Sequence, residues 1–478
     1  MPEAKPRTLA VIGAGPAGLA AALAAAQRDV RVTVIDSAPQ AGGQFYRQPP
    51  AALGARRPQA LHHQWRTWER LRDGLARQIA AGRITHLTEH HVWFVEGDFE
   101  DAAGPGGPRF TVHALLGPDH QESAALPADA VLLATGGYEK VLPFPGWTLP
   151  GVLTAGGAQA MLKGGLVLPG RTVVVAGTGP LLMPVAVGLA AAGAEVAALV
   201  ESAGPKAFAR HAATLAAHPY KLAEGAQYAA QLLRHRVPLA TGHTVVEAHG
   251  KNALEAVTVA ALDAAGRVRP GTERRIACDT LAVGHGMLPH TDLAEGLGCR
   301  VDGVDVAVDA EQRTDVPGVW AAGEATGIGG AALSLAEGHI AGRSAAARLR
   351  GSAIDPRAWA AAAKARTKAR EFAAAIKAVY EPPAHWAEQL RDDTLVCRCE
   401  EVPASAVREA VEELGATDAR TVKLLTRAGM GWCQGRMCSA AVAGLAGCEE
   451  RSARRPFARP VPLGVLAQAP DEDEQTSS

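Results

Sequence analysis

The stretch TLAVIGAGPAGLAAALAAAQRDVRVTVID, residues 8–36, constrains the fold of this chain more than any other. It reads as an apolar strand, a glycine turn, a helix and a second strand ending in an acid. Gly13 permits the tight turn, Gly15 lets backbone approach a pyrophosphate, and Gly18 lets the helix lie close on the sheet. The helix N-terminus then presents unpaired N–H groups and a partial positive charge to the phosphates. Asp36 stands eighteen residues after Gly18, where a carboxylate can accept both hydroxyls of a ribose. A purely structural glycine turn would leave that acid unexplained. Dinucleotide binding is the expectation.

The next residues favour a flavin. In SAPQAGGQFYRQ, Gly42 and Gly43 give a backbone able to lie against a flat ligand, and Gln44 can bond its polar edge. Arg47 can reach a phosphate or a flavin carbonyl, or stand solvated at the surface. The pairs His62-His63 and His90-His91 lack metal spacing with nearby acids and read as surface or satisfied histidines.

Residues 171–201 repeat the strand–glycine–helix–strand theme. Gly177 and Gly179 match the first two glycines, and Glu201 stands where a ribose-binding acid belongs. Leu182 occupies the third glycine position, so the helix must pack more loosely or be displaced. NAD(H), an adenine nucleotide or an empty site all remain open here, whereas Glu201 would repel a 2′-phosphate. Two short strands ending in glycine, AVLLATGGY (130–138, with Thr135 and Gly136) and TLAVGHGMLP (280–289), bracket the copies. A last segment, RTDVPGVWAAGEATGIGGAALSLAEGHIAG (313–342), carries Gly323-Glu324 and a glycine-opened helix.

Together these motifs resemble the thioredoxin reductase and glutathione reductase superfamily of two-dinucleotide-domain flavoproteins. The resemblance implies FAD at the first copy, with Thr135, Gly136, Gly323 and Glu324 around it. In that superfamily the acid at the Glu324 position, usually Asp, binds the ribityl chain. It also implies a redox cysteine pair beside the flavin, yet the segment GVLTAGGAQAMLKGG has no cysteine and none precedes Cys278. Disulfide reduction is excluded.

Four of the seven cysteines gather near the C-terminus as Cys397-x-Cys399, thirty-three residues, and Cys433-x4-Cys438. Helices are expected just after each pair, PASAVREAVEELGA with Val407, Val411 and Leu414 inward, and SAAVAGLAG. Their N-termini would lower thiolate pKa, with Arg398, Lys423, Arg427 and Arg436 adding positive charge. Four thiolates select zinc or an iron–sulfur cluster, and neither pair has the CxxC spacing of zinc knuckles. The pattern resembles bacterioferritin-associated ferredoxin domains, although that family usually ends in CxxC. The resemblance implies a [2Fe-2S] cluster with Cys397, Cys399, Cys433 and Cys438 as its ligands. Cys278, Cys299 and Cys448 read as ordinary thiols.

The phrases GGQFYRQ, FPGWTLPGVLTAGGAQAMLK, VCRCEEV and GMGWCQGRMC are similar to the α subunits of heteromeric amino-acid and opine dehydrogenases. These are the opine oxidase, hydrogen cyanide synthase and D-hydroxyproline or proline dehydrogenase types. That likeness implies a partner β subunit of the D-amino-acid-oxidase type with its own FAD, which oxidises a C–N bond. It also allows FMN at a subunit interface and a small ferredoxin-like γ subunit. This chain would then carry electrons and contribute no catalytic residue to substrate oxidation. The alternatives are a self-contained NAD(P)H-dependent flavoprotein reductase and a non-catalytic scaffold subunit.

The expected architecture is α/β, with two dinucleotide-binding domains and a small C-terminal helical [2Fe-2S] domain. A discontinuous FAD domain takes residues 1–150 and 300–352, and the second nucleotide domain takes 151–299. A helical linker (353–392), the [2Fe-2S] domain (393–450) and a tail (451–478) ending disordered and acidic follow. With 48 Lys and Arg against 49 Asp and Glu, the chain offers no basic stripe for nucleic acid. Glycines and Pro16 break the first apolar run, so it reads as a fold element and not as an export signal. A cytoplasmic protein, with at most peripheral contact at the inner membrane face, is expected.

Overall fold

A computed structural model describes residues 7–62, 64–98, 109–451 and 455–467. Two five-stranded parallel sheets dominate it. The first runs in the order Val319–Ala321, Ala130–Leu133, Thr8–Ile12, Arg31–Ile35, Ile84–Leu87. The central strands are buried on both faces, which explains why they read as near-continuous apolar runs without alternation. The second sheet runs Leu239–Thr241, Glu195–Glu201, Thr172–Gly177, Thr280–Gly284, Val152–Thr154. Each sheet is accompanied by a three-stranded antiparallel sheet, His90–Asp98, Arg109–Leu116 and Glu122–Ala128 for the first and His243–His249, Ala256–Ala261 and Arg274–Ala277 for the second.

Small residues set the helix packing around the first sheet. Helix Gly330–Leu349 crosses helix Pro16–Ala26 at Gly338 and Gly342, one turn apart. A Cβ on either would lie 2.1–2.2 Å from the carbonyl oxygens of Ala17 and Ala21, so only glycine allows the approach. The motif reading passed over these two glycines because they mark a helix crossing and no phosphate.

Helix Ala360–Val379 spans both halves. Its apolar side packs on helix Gly330–Leu349, and His218 Nε2 of the second half donates to the Lys368 carbonyl oxygen at 3.0 Å. Trp359, Ala362, Ala369, Phe372, Ile376 and Val379 are all buried or half-buried, as their spacing predicts. A two-stranded ribbon, Gly137–Glu139 against Met287–Pro289, makes a further link between the halves.

Three short helices of the C-terminal part enclose a core of Val396, Val402, Val407, Ala410, Val422 and Val442. Leu414, expected inside, is 57% exposed. Its helix ends at Glu412, so Leu414 falls in the turn before Gly415 and Ala410 takes the inward place. The described part of the tail is folded, with Phe457 edge-on to Trp93 at 5.0 Å. The acidic end, 468–478, lies outside the described residues, as does His63. Among the described residues no helix is long and apolar enough to cross a membrane.

Candidate electron-transfer site

The first glycine turn is tightly packed. Gly13 takes φ +107°, and a Cβ there would meet the Ala134 carbonyl oxygen at 2.3 Å. A Cβ on Gly18 would strike the Gly13 oxygen at 1.8 Å, so the helix does lie close. Gly43 faces Gly15 with equal economy, since its Cβ would stand 2.8 Å from the Gly15 Cα. Gly42 N donates to the Ala14 oxygen at 2.8 Å and holds that loop over the turn. Asp36, 9% exposed, accepts from Ala14 N and, at 2.7 Å, from Ala38 N. Burial raises its pKa above the ordinary value, against the pull of those two N–H groups.

Gln44 and Arg47, read separately as flavin contacts, engage each other. The Gln44 amide oxygen accepts from Arg47 Nε at 3.1 Å and Nη2 at 2.6 Å. Thr135 and Gly136 are pinned to the second half, through Thr135 Oγ1 to the His290 oxygen at 2.6 Å and His290 N to the Gly136 oxygen at 2.9 Å. Gly323 takes φ +77° beside Ala17, and the Glu324 carboxylate accepts from Gly330 N at the start of helix Gly330–Leu349. Burial lifts the Glu324 carboxyl above its usual range. Sequence reading missed Glu337. This 1%-exposed carboxylate accepts from Gly323 N and Thr326 Oγ1, both at 2.9 Å, and pairs with Arg370 at 2.6 Å. Its place next to Gly338 of the tight helix crossing, facing a glycine loop, is the signal that pattern reading lacked.

The second copy differs at the predicted point. Its helix begins at Leu182, whereas the first begins at Pro16, the counterpart of Pro180. The helix starts two residues later in the motif, and Leu182, 2% exposed, packs against Gly284. Gly177 takes φ +124° and would clash with the Gly284 oxygen at 1.8 Å if it had a Cβ, while Gly179 is open. Glu201 accepts from Gly179 N at 3.3 Å and Ala203 N at 2.9 Å. Burial pushes its carboxyl up to about 7.

The four C-terminal cysteines come together. Cys438 lies beside Cys397, Cys399 and Cys433, and Cys399 beside Cys397 and Cys433. Cys397 and Cys438 are buried, Cys433 is half-buried and Cys399 is exposed. Glycine at 431 lets the loop cross over Cys399, whose Cβ a side chain there would meet at 2.3 Å. Among the described residues no three His, Cys, Asp or Glu side chains are gathered as a single metal ion would need. Zinc requires four sulfurs about 2.3 Å from one centre. Four thiols without an oxygen or nitrogen donor would fit zinc or an iron–sulfur cluster.

The helix-terminus expectation holds for one pair only. Cys438 caps helix Ser439–Leu445, but helix Ala404–Glu412 starts five residues after Cys399. Burial and the neighbouring sulfurs raise the Cys438 thiol pKa, so iron binding must drive its deprotonation. The surrounding cations are partly spoken for. Arg427 pairs with Glu400 at 2.9 Å, and Arg436 pairs with Asp292 at 2.8 Å. That second contact joins the cysteine loop to the body of the molecule, as does Trp147 Nε1 donating to the Leu395 oxygen at 2.7 Å.

A model of the pyridine nucleotide-disulphide oxidoreductase family matches residues 7–348. The chain belongs to this family. A second model, that of the BFD-like [2Fe-2S] binding domain, matches residues 395–446. Hydrogen cyanide synthase subunit HcnB of Pseudomonas aeruginosa is 35% identical over 443 residues, 90% of each chain. An opine oxidase subunit of Agrobacterium tumefaciens is 32% identical over 484 residues, 97% of this chain and 92% of its own. The crystal structure of L-proline dehydrogenase from P. horikoshii shares the fold with TM-score 0.66 at 21% identity. It covers 98% of this chain and 81% of that one.

As a pyridine nucleotide-disulphide oxidoreductase the chain has the FAD-type scaffold without the disulfide. All seven cysteines are free thiols. Cys278 and Cys299 are buried, and burial pushes both thiols up to about 11, which leaves them inert. The sulfur atoms gathered together are those of the four-thiol domain.

Proposed function

We propose that this chain is the electron-transferring flavoprotein subunit of a heteromeric dye-linked dehydrogenase. Its substrate, an amino acid, imino acid or opine, is oxidised at a C–N bond in a partner FAD subunit of the D-amino-acid-oxidase type. The observation that carries this reading is the cysteine loop held to the flavin-type body by Arg436 and Asp292. A four-thiol centre beside a flavin scaffold that has no disulfide to reduce has electron transfer as its use. When bound, FAD exchanges electrons singly or in pairs and a [2Fe-2S] cluster takes them one at a time.

The chain's own residues divide the work. Gly13, Gly15 and Gly18 with the helix N-terminus would hold the pyrophosphate, and Asp36 the ribose. Gly42 and Gly43 let their loop close tightly over the turn, and Glu324 sits at the start of helix Gly330–Leu349. Cys397, Cys399, Cys433 and Cys438 would ligate the irons. Cys399 is exposed, and Trp432 beside Cys433 is 80% exposed. An edge of this kind is where a second redox centre can dock, and a partner subunit is the occupant we assign to it. The names of the relatives, each a subunit of a larger enzyme, support the heteromeric reading. Gly177, Gly179 and Glu201 retain the outline of a nucleotide site for an adenine nucleotide or NAD.

Co-expression with an amino-acid-oxidase-like partner tests this reading. A stable complex should form, and substrate should reduce its flavins anaerobically. Bleaching of the flavin by NADH in the isolated chain would favour the self-contained reductase, for which Glu201 speaks.

A further inference from the structure

Asp292 is 3% exposed and faces two guanidinium groups. Arg436, which lies between Cys433 and Cys438, donates to Asp292 Oδ2 at 2.8 Å. Arg455 of the tail donates to Asp292 Oδ1. The two arginines also bind across to each other's segments. Arg436 Nη2 donates to the Ala458 oxygen at 2.5 Å, and Arg455 Nε donates to the Gln434 oxygen at 2.7 Å. The tail is fixed in turn, since Ala458 N donates to the Trp93 oxygen at 2.9 Å. On its other side Asp292 follows His290, whose carbonyl accepts the Thr135 hydroxyl at 2.6 Å. A three-residue stretch, 290–292, therefore separates the Thr135–Gly136 turn from the cysteine loop.

We propose that Asp292 is the positioning residue that fixes the Cys433–Cys438 loop against the flavin-type body, with residues 455–459 as a strap closing over it. The proposal rests on the electron-transfer reading above and deepens it. One buried carboxylate bridges two arginines that are 16% and 8% exposed and offsets one of their two charges, so loss of its charge leaves two like charges facing each other away from water. The loop and the strap are then released together, because each is bonded to the other as well as to Asp292. Cysteine ligands anchored this way would keep a fixed distance to the flavin, and electron transfer depends steeply on that distance.

The test uses the full chain carrying its cofactors, as wild type, Asp292→Asn and Arg455→Gln. Amide hydrogen exchange is followed in residues 430–438 and 455–459, with helix Pro16–Ala26 as the internal reference. Both variants should exchange about tenfold faster or more in the two segments, with the reference helix and FAD content unchanged. The rate at which photoreduced flavin passes an electron to the cluster should fall about tenfold or more in the same variants. Arg455→Lys keeps the charge but loses the Nε–H donated to the Gln434 oxygen, so it should restore only part of the protection. Unchanged exchange in the cysteine loop of Asp292→Asn would overturn the proposal. If that variant does not fold, unchanged exchange in Arg455→Gln does so instead. A wild-type chain without iron would sink the electron-transfer reading, yet its exchange pattern would still judge the clamp.

Discussion

The Leu182 side chain packs against Gly284, where a Cβ would lie 3.2 Å from Leu182 Cδ2. The first copy has Gly18 at the position of Leu182, and its helix starts two residues earlier relative to the motif. Leucine fills the room that a closely packed helix would take. Replacement by alanine should therefore leave a cavity and not a better nucleotide site. Leu182→Ala is expected to cost about 2–5 kcal/mol in chemical denaturation with FAD retained. A neutral substitution would mean that the later helix start has another cause.

The two cofactor sites should fail separately. Cys433→Ser and Cys399→Ser should lose iron and labile sulfide while keeping FAD. Gly15→Val should do the reverse, because its side chain would project beside Gly43 into the path of the pyrophosphate. Iron, sulfide and flavin analysis of the purified variants reads both. Loss of flavin from a folded cysteine variant would contradict the separation.

Glu201 should shape the pH dependence of stability. Its folded pKa of about 7 lies above the ordinary 4.5 because burial disfavours the anion. Below pH 4.5 both states are protonated and nothing is lost. As pH rises from 4.5 to 7 the unfolded chain releases a proton that the folded chain keeps, so stability falls. The loss is complete above pH 7, at about 3 kcal/mol. Glu201→Gln lacks this ionisation, so its stability relative to wild type should grow by about that amount between pH 4.5 and pH 8. Parallel stability profiles for the two proteins would rule the effect out.

Local geometry was legible in the sequence, and long-range pairing was not. Strand, turn and helix around Gly13, Gly15 and Gly18 follow from chain sterics within a few residues, and the structure has them. The second copy keeps the same order, with its helix starting at Leu182, two residues later in the motif. The Arg436–Asp292 contact joins residues 144 apart, and no periodicity marks an aspartate as the partner of two distant arginines. Glu337 escaped for a similar reason, since its partners Gly323 and Arg370 become neighbours only when two helices pack. The expected fall in thiol pKa at Cys438 weighed the helix terminus and four nearby cations, whereas burial beside three other sulfurs outweighs them.

Trp432 should matter to assembly and not to folding. It is 80% exposed beside a cysteine of the four-thiol set, the placement of an interface anchor. Trp432→Ala should weaken the complex with the partner subunit by about 2 kcal/mol, roughly thirtyfold in Kd, with unchanged melting of the isolated chain. Equal affinities would move the docking face elsewhere.

Anaerobic substrate reduction of the isolated chain, set beside that of the co-expressed complex, tests the central claim most directly. Candidate amino acids, imino acids and opines are added to each, and the flavin absorbance and the reduced-cluster signal are followed. The account predicts no reduction in the isolated chain, and reduction of both flavin and cluster in the complex. Robust oxidation of substrate by the isolated chain would contradict it, placing the substrate site on the nucleotide fold of Gly13, Gly15 and Asp36.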